Sequence, residues 1–174
     1  MHGFKEREGG QLRQQEKTAK KQTEQVFLQS PIGTICVEAR DGAVCAIRLA
    51  HAEDCLIETA ATPLLTQAAK ELAEYFAGTR TSFTFPMHAE GTPFQMSVWD
   101  ALSAIPFGET RTYGEIARQV QNEKGSRAVG MACNRNPIMI AVPCHRVVGA
   151  KGALTGYAYG TDMKQQLLDL EQKK

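Results

Sequence analysis

The chain has 174 residues, of which 43% are apolar and 22% charged. That is globular composition, which excludes a collagen-like, low-complexity or wholly disordered chain, and the length suits one average domain or two small ones. The net charge of +1 is unevenly spread: residues 111–151 carry seven basic and two acidic side chains, whereas 26–90 carry four basic and eight acidic. The basic stretch fits either an anionic partner or an ordinary solvated surface.

Residues 1–25 hold only Met1, Phe4, Leu12 and Ala19 as apolar side chains and read as a disordered tail or frayed helix. Strands are expected at Val26-Phe27-Leu28, Thr34-Ile35-Cys36-Val37 and Val44-Cys45-Ala46-Ile47. Ser30-Pro31-Ile32-Gly33 and Asp41-Gly42 supply the turns. Leu64, Leu65, Ala68, Leu72, Tyr75 and Phe76 recur at helical spacing over 63–77. Thr62 is the expected N-cap, Pro63 the first turn and Gly78 the stop. This half reads as a small α/β domain over 26–90.

A second domain is expected over 91–174. A helix over 93–104 buries Phe94, Val98, Trp99 and Leu102 and ends at Pro106-Phe107-Gly108. Thr112 caps a helix over 113–120, a polar loop covers 121–125, and a third helix covers 126–133. Two short helices joined by a polar loop within a basic stretch are a nucleic-acid-binding arrangement. A buried strand is expected over 138–142, then a glycine-rich stretch, then a helix over 162–171.

The apolar run 138–142 is too short to span a bilayer, and the polar N-terminus lacks the apolar core of a signal peptide. Five cysteines (Cys36, Cys45, Cys55, Cys133, Cys144) at irregular spacing fit reduced thiols in a cytoplasmic protein. Cys36, Cys45, His51, Cys55 and His88 lack paired ligand spacing, so no metal and no cofactor is expected.

The chemistry points to Pro143-Cys144-His145-Arg146. Pro143 ends an extended segment and presents Cys144. A thiol becomes a nucleophile beside a base, and His145 can act directly or through one water. Neighbours on a strand face opposite ways, so the pair needs an irregular turn. Glu171 on the last helix is a carboxylate that can orient the imidazole. Spacing alone leaves open that Cys144 and His145 are two unexceptional residues.

Residues 91–171 resemble the DNA-binding domain of the O6-alkylguanine-DNA alkyltransferases, the methylated-DNA–protein-cysteine methyltransferases. The match runs through Gly91-Thr92-Pro93-Phe94-Gln95, Ile105-Pro106-Phe107-Gly108-Glu109-Thr110, Thr112-Tyr113-Gly114-Glu115-Ile116-Ala117, Ser126-Arg127-Ala128-Val129-Gly130 and Asn136-Pro137. It continues through Ile140-Ala141-Val142-Pro143-Cys144-His145-Arg146-Val147-Val148-Gly149 to Gly156-Tyr157 and Glu171. Residues 28–90 fit the family's N-terminal domain more loosely. The resemblance implies an α+β protein: a small ribonuclease-H-like α/β domain followed by a mostly helical domain with a winged-helix-like helix–turn–helix.

It also implies a single-turnover repair protein, monomeric and without a membrane or obligate protein partner. Such a protein flips a nucleotide out of double-stranded DNA and moves an alkyl group from O6 of guanine, and from O4 of thymine, to Cys144. His145 would be the water-mediated base, Glu171 its orienter, Asn136 a brace for the turn and Tyr113 a donor to the leaving base. Arg127 would fill the vacated stack. Tyr113, Gly114, Asn122, Ser126, Ala128, Gly130 and Arg135 would line the DNA. The helix face of Ala128, Val129, Gly130, Met131 and Ala132 would let the backbone approach the minor groove, although small residues serve close helix packing equally well. Val147, Tyr157, Ala158 and Tyr159 would form the substrate pocket. Tyr159 stands where the family often has glycine, which predicts poorer access for bulky alkyl groups. The alternative readings are a non-catalytic alkylbase-binding module and a DNA-binding regulator.

Overall fold

The computed structural model describes residues 23–54 and 61–172. Residues 1–22, which make up most of the expected tail, and Cys55 lie outside the described residues. The chain begins with an antiparallel sheet of β1 (Glu24–Ser30), β2 (Gly33–Arg40) and β3 (Ala43–Leu49) in sequential order. β1 starts two residues before the first expected strand position, so Glu24 and Gln25 belong to the sheet. Val26 pairs with Val37, and Val37 with Ile47. Asp41 and Gly42 both have positive φ, 54° and 79°, as the two-residue turn matching the twist of a hairpin requires.

Helix α1 (Pro63–Phe76) packs across this sheet, burying Leu65, Ala68, Leu72 and Tyr75. Thr62 accepts from Leu65 N, and Pro63 fills a position whose N–H would have no partner. The C-terminal half contains α2 (Pro93–Ser103), α3 (Tyr113–Gln119), α4 (Ser126–Asn134) and α5 (Thr161–Gln172). Thr92 with Gln95 and Thr112 with Glu115 form reciprocal capping boxes that fix where α2 and α3 begin. Trp99 of α2 donates to Ala132 O of α4 at 2.9 Å, which ties the two helices together. Strands β4 (Arg111–Thr112) and β5 (Val147–Val148) form a short parallel pair.

Both halves contribute to one continuous apolar cluster, from Ile35 and Ile47 through Tyr75 and Leu102 to Val129, Met139 and Leu167. Ile47 N donates to Pro137 O at 2.9 Å, and Met139 N to Ile47 O at 3.0 Å, joining β3 to the segment before the cysteine.

That segment corrects one expectation. Residues 138–142 are not a strand. Ile138 makes a single bridge to Ile47, after which the backbone turns, and Ile140 sits at φ 71°. A short buried apolar run reads the same whether it is a strand or a packed turn. The backbone groups are satisfied locally, Val142 N by Ile138 O at 2.9 Å and Ala141 N by Met139 O at 2.8 Å. Among the described residues, no helix is long and apolar enough to cross a membrane, and no three His, Cys, Asp or Glu side chains are grouped to hold a metal ion.

Candidate active site

The backbone delivers Cys144 in an unusual way. Pro143 lies at φ −83°, ψ 64°, and Cys144 N donates to Val142 O at 2.9 Å across it, an inverse γ-turn. Cys144–Arg146 then form one 3₁₀ turn. This turn replaces the extended strand on which neighbouring cysteine and histidine side chains would face opposite ways. Asn136, just beyond α4, braces the turn with both ends of its amide. Its Nδ2 donates to Val142 O at 2.7 Å and to Cys144 Sγ at 3.3 Å, while its Oδ1 accepts from Ile138 N at 3.0 Å.

His145 is fully buried, and its Nε2 lies 2.7 Å from Glu171 Oε1. An ionised carboxylate only accepts, so Nε2 carries the proton and Nδ1 keeps its lone pair. Nδ1 is buried without a protein hydrogen-bond partner. Glu171 is held from four directions. Besides His145, it accepts from Tyr75 Oη at 2.7 Å, from Gly108 N at 3.1 Å, and from Arg146 Nε and Nη2 at 2.8 and 3.0 Å. Arg146 Nη1 donates to Ile105 O at 2.7 Å, so this guanidinium is spent inside the molecule. Arg146 therefore leaves the basic segment counted for an anionic partner.

The electrostatics follow from this packing. Burial pushes the Glu171 carboxyl up, but the hydrogen bonds from His145 and Arg146 outweigh it and hold it at about 2. Burial pulls His145 below its ordinary value, against the opposing pull of Glu171. The imidazole is consequently neutral near pH 7 and free to take a proton. Burial raises the Cys144 thiol, while the Asn136 hydrogen bond and the Lys164 charge lower it. The resting group is a thiol, and the next residue in the chain is the neutral imidazole.

Lys164 is a second buried cation. Its Nζ lies 3.1 Å from Gly156 O and 3.4 Å from Thr155 O, and 3.4 Å from Tyr113 Oη. Tyr113, at the start of α3, donates to Thr155 O at 3.0 Å, and burial raises its hydroxyl to about 12. Tyr157 and Tyr159 meet edge to face with ring centroids 5.9 Å apart. The Tyr157 hydroxyl is buried without a partner. Ala158, between them in sequence, is exposed, and Val147 is fully buried in β5.

The expected DNA-facing residues group on and around α4. Arg127 and Ser126 are exposed in its first turn and Arg135 caps its end. Gly130 faces Tyr113, where an added Cβ would lie 3.8 Å from the ring, and Gly114 faces Ser126. Asn122 folds against Gly125, where an added Cβ would clash with its side chain at 2.4 Å. The expected face of small residues is divided: Val129 and Ala132 are buried in the core, whereas Met131 is exposed.

Sequence reasoning missed Tyr75, Arg146 and Lys164 as site residues. A signal for one of them was present. Lys164, Leu167, Leu168 and Glu171 occupy the buried face of α5, and two charges on an apolar stripe demand partners.

Helices α3 and α4, with Cys144, His145 and Glu171 buried in the same half of the chain, are the arrangement of a DNA-handling protein. Two family models match, the ribonuclease-like domain of 6-O-methylguanine DNA methyltransferase over residues 25–89 and its DNA-binding domain over 93–173. The chain belongs to the 6-O-methylguanine DNA methyltransferase family. A Methanosarcina acetivorans protein named methylated-DNA–protein-cysteine methyltransferase is 62% identical over 105 residues, 60% of this chain and 67% of that one. Its Mycolicibacterium paratuberculosis namesake is 45% identical over 147 residues, 83% of this chain and 89% of that one. The solved Mycobacterium tuberculosis OGT in complex with DNA superposes with a TM-score of 0.74 at 42% identity, covering 86% of this chain and 92% of that one.

Proposed function

We propose that this protein repairs alkylated DNA by moving the alkyl group from O6 of guanine, and from O4 of thymine, to the sulfur of Cys144, once per molecule. The observation that carries this reading is a pair of hydrogen bonds on adjacent residues, Asn136 to the Cys144 sulfur and His145 to Glu171. The thiol proton passes to His145 Nδ1 through one water, and the imidazolium is stabilised by Glu171. The thiolate attacks the sp³ carbon in line with the C–O6 bond. A C–S bond forms, the C–O bond breaks, and its electron pair goes to the guanine oxygen.

The departing base gains negative charge, so a donor aimed at it lowers the barrier. Tyr113 fills this role: its raised hydroxyl stays protonated at neutral pH, and Lys164 lies beside it. The proton returns to the base, leaving neutral guanine and a thioether. A thioether is a stable C–S bond, so the reaction is stoichiometric.

An alkylated O6 inside a stacked duplex is out of reach of Cys144, which is only 5% exposed. The nucleotide must be extruded into the protein. Arg127 enters the gap, and Gly114, Asn122, Ser126, Ala128, Gly130 and Arg135 follow the backbone and groove around it. Val147, Tyr157, Ala158 and Tyr159 enclose the flipped base. The protein acts as a monomer wherever the cell keeps its DNA, the cytoplasm where there is no nucleus.

The test is a titration of duplex carrying O6-methylguanine. Lesions lost should plateau at one per protein molecule. Continued turnover, or no loss with excess protein, overturns the reading.

A further inference from the structure

Cys133 is a buried thiol, 7% exposed, in the last turn of α4, and the reaction above leaves it unused. It belongs to the same apolar cluster as Cys144, and both thiols are free. Asn136 spans from one residue to the other: its N–H donates to Cys133 O at 3.2 Å, and its side-chain amide donates to Cys144 Sγ at 3.3 Å. One turn earlier on α4, Gly130 faces the Tyr113 ring, and the Tyr113 hydroxyl lies 3.4 Å from Lys164 Nζ. Burial raises the Tyr113 hydroxyl and lowers the Lys164 ammonium, and on both of them the charges of Cys133 and Cys144 act together. The two sulfurs also act on each other. Burial, then the Cys144 charge, pushes the Cys133 thiol up to about 12; burial raises Cys144 as well, and Lys164 lowers both. Cys36 and Cys45 lie apart from this group, in β2 and β3, with their sulfurs on Glu38.

We propose that Cys133 is the resolving thiol of Cys144: once hydrogen peroxide has oxidised Cys144, the two sulfurs join in a disulfide beside Asn136. The Cys144 sulfur attacks one peroxide oxygen. An S–O bond forms, the O–O bond breaks, and the departing hydroxide takes the thiol proton as water. The Cys133 sulfur then attacks the sulfur of the Cys144 sulfenic acid. An S–S bond forms, the S–O bond breaks, and a second water leaves with the Cys133 proton. Two thiols are oxidised to one disulfide, and one peroxide is reduced to two waters. The Lys164 charge favours the thiolate at either sulfur, which both steps require. A dithiol reverses the product by exchange. The consequence rests on the alkyl-transfer reading above. A sulfur that serves only once is lost if it passes on to sulfinic acid, whereas a disulfide returns it.

The experiment treats folded wild type and Cys133→Ser with hydrogen peroxide in the absence of DNA, blocks the remaining thiols with iodoacetamide and digests with trypsin. Cleavage after Arg127, Arg135 and Arg146 places Cys133 and Cys144 on separate peptides, 128–135 and 136–146. Wild type is expected to give these two peptides joined and lighter by two hydrogen atoms, and dithiothreitol to separate them. Methyl transfer is expected to be lost with the joining and regained with dithiothreitol. In Cys133→Ser, Cys144 goes on to sulfinic acid and little transfer is regained. Cys144 found only as sulfenic or sulfinic acid in wild type, or joined to a cysteine other than Cys133, overturns the proposal while leaving the alkyl-transfer reading intact. Equal recovery in the two proteins does the same. Untreated wild type that removes no methyl group from O6-methylguanine duplex removes that reading instead, and the joined peptides still decide the proposal.

Discussion

The hydroxyl of Tyr75 donates to Glu171 Oε1 at 2.7 Å, the same oxygen that lies 2.7 Å from His145 Nε2. A residue of the N-terminal helix α1 therefore helps aim the His145 imidazole. The small sheet domain is part of the site's rigidity as well as of the fold.

Tyr75→Phe should separate these roles. Removing the hydroxyl leaves a buried carboxylate one donor short, so stability should fall by about 1–3 kcal/mol and transfer should slow modestly. Glu171→Gln should cost more, ~3–5 kcal/mol, because Arg146 is then a buried cation without its partner. Denaturant unfolding and single-turnover rates measure both. A Tyr75→Phe protein indistinguishable from wild type in both measurements would contradict this arrangement.

The site also fixes a pH dependence. Glu171 titrates at about 2 in the folded protein against a reference value of 4.5, so the unfolded chain binds its proton first as pH falls. Its stabilisation is complete above about 4.5 and is lost as pH drops towards 2. His145, held below its reference value of 6.5, acts in the same direction and begins to cost stability below that pH. The acid limb of the transfer rate should accordingly lie below pH 6.5, where the neutral imidazole is finally protonated. Urea midpoints and transfer rates over a pH series check this. An acid limb centred above pH 7 would contradict it.

Arg127 is exposed in the first turn of α4 with no role in the core. Arg127→Ala should leave stability within about 0.5 kcal/mol of wild type, as for other surface substitutions. It should slow transfer from duplex far more than transfer from free O6-benzylguanine, because only the duplex requires extrusion. Equal losses on both substrates would show that the arginine does not act in the gap.

Tyr159 packs edge to face on Tyr157 near the pocket loop. Tyr159→Gly should raise the rate with benzylated guanine more than the rate with methylated guanine. Equal rate ratios in the two proteins would mean that this ring does not limit access.

The elements were legible because local signals agreed. Asp41-Gly42 announces its hairpin, Thr62 and Thr112 cap the helices they precede, and the apolar stripe of α1 is periodic. Cys144, His145 and Glu171 were named through the motif, whereas the His145–Glu171 hydrogen bond and the irregular turn at Cys144 belong to the fold. The turn at 138–142 was not legible, since Asn136 satisfies a backbone carbonyl and an N–H there that a strand ladder would otherwise pair. Arg146 was read as surface charge because its partner is 25 positions away. Tyr75 was read as core because its ring is core and only its hydroxyl belongs to the site.

The most direct measurement is the mass of the Cys144 peptide after incubation with O6-methylguanine duplex, in wild type and in Cys144→Ala. The account predicts a gain of one methylene on that peptide alone, no gain anywhere in Cys144→Ala, and duplex binding retained by the variant. A methyl group on another residue, or repair that persists without the Cys144 sulfur, would contradict it.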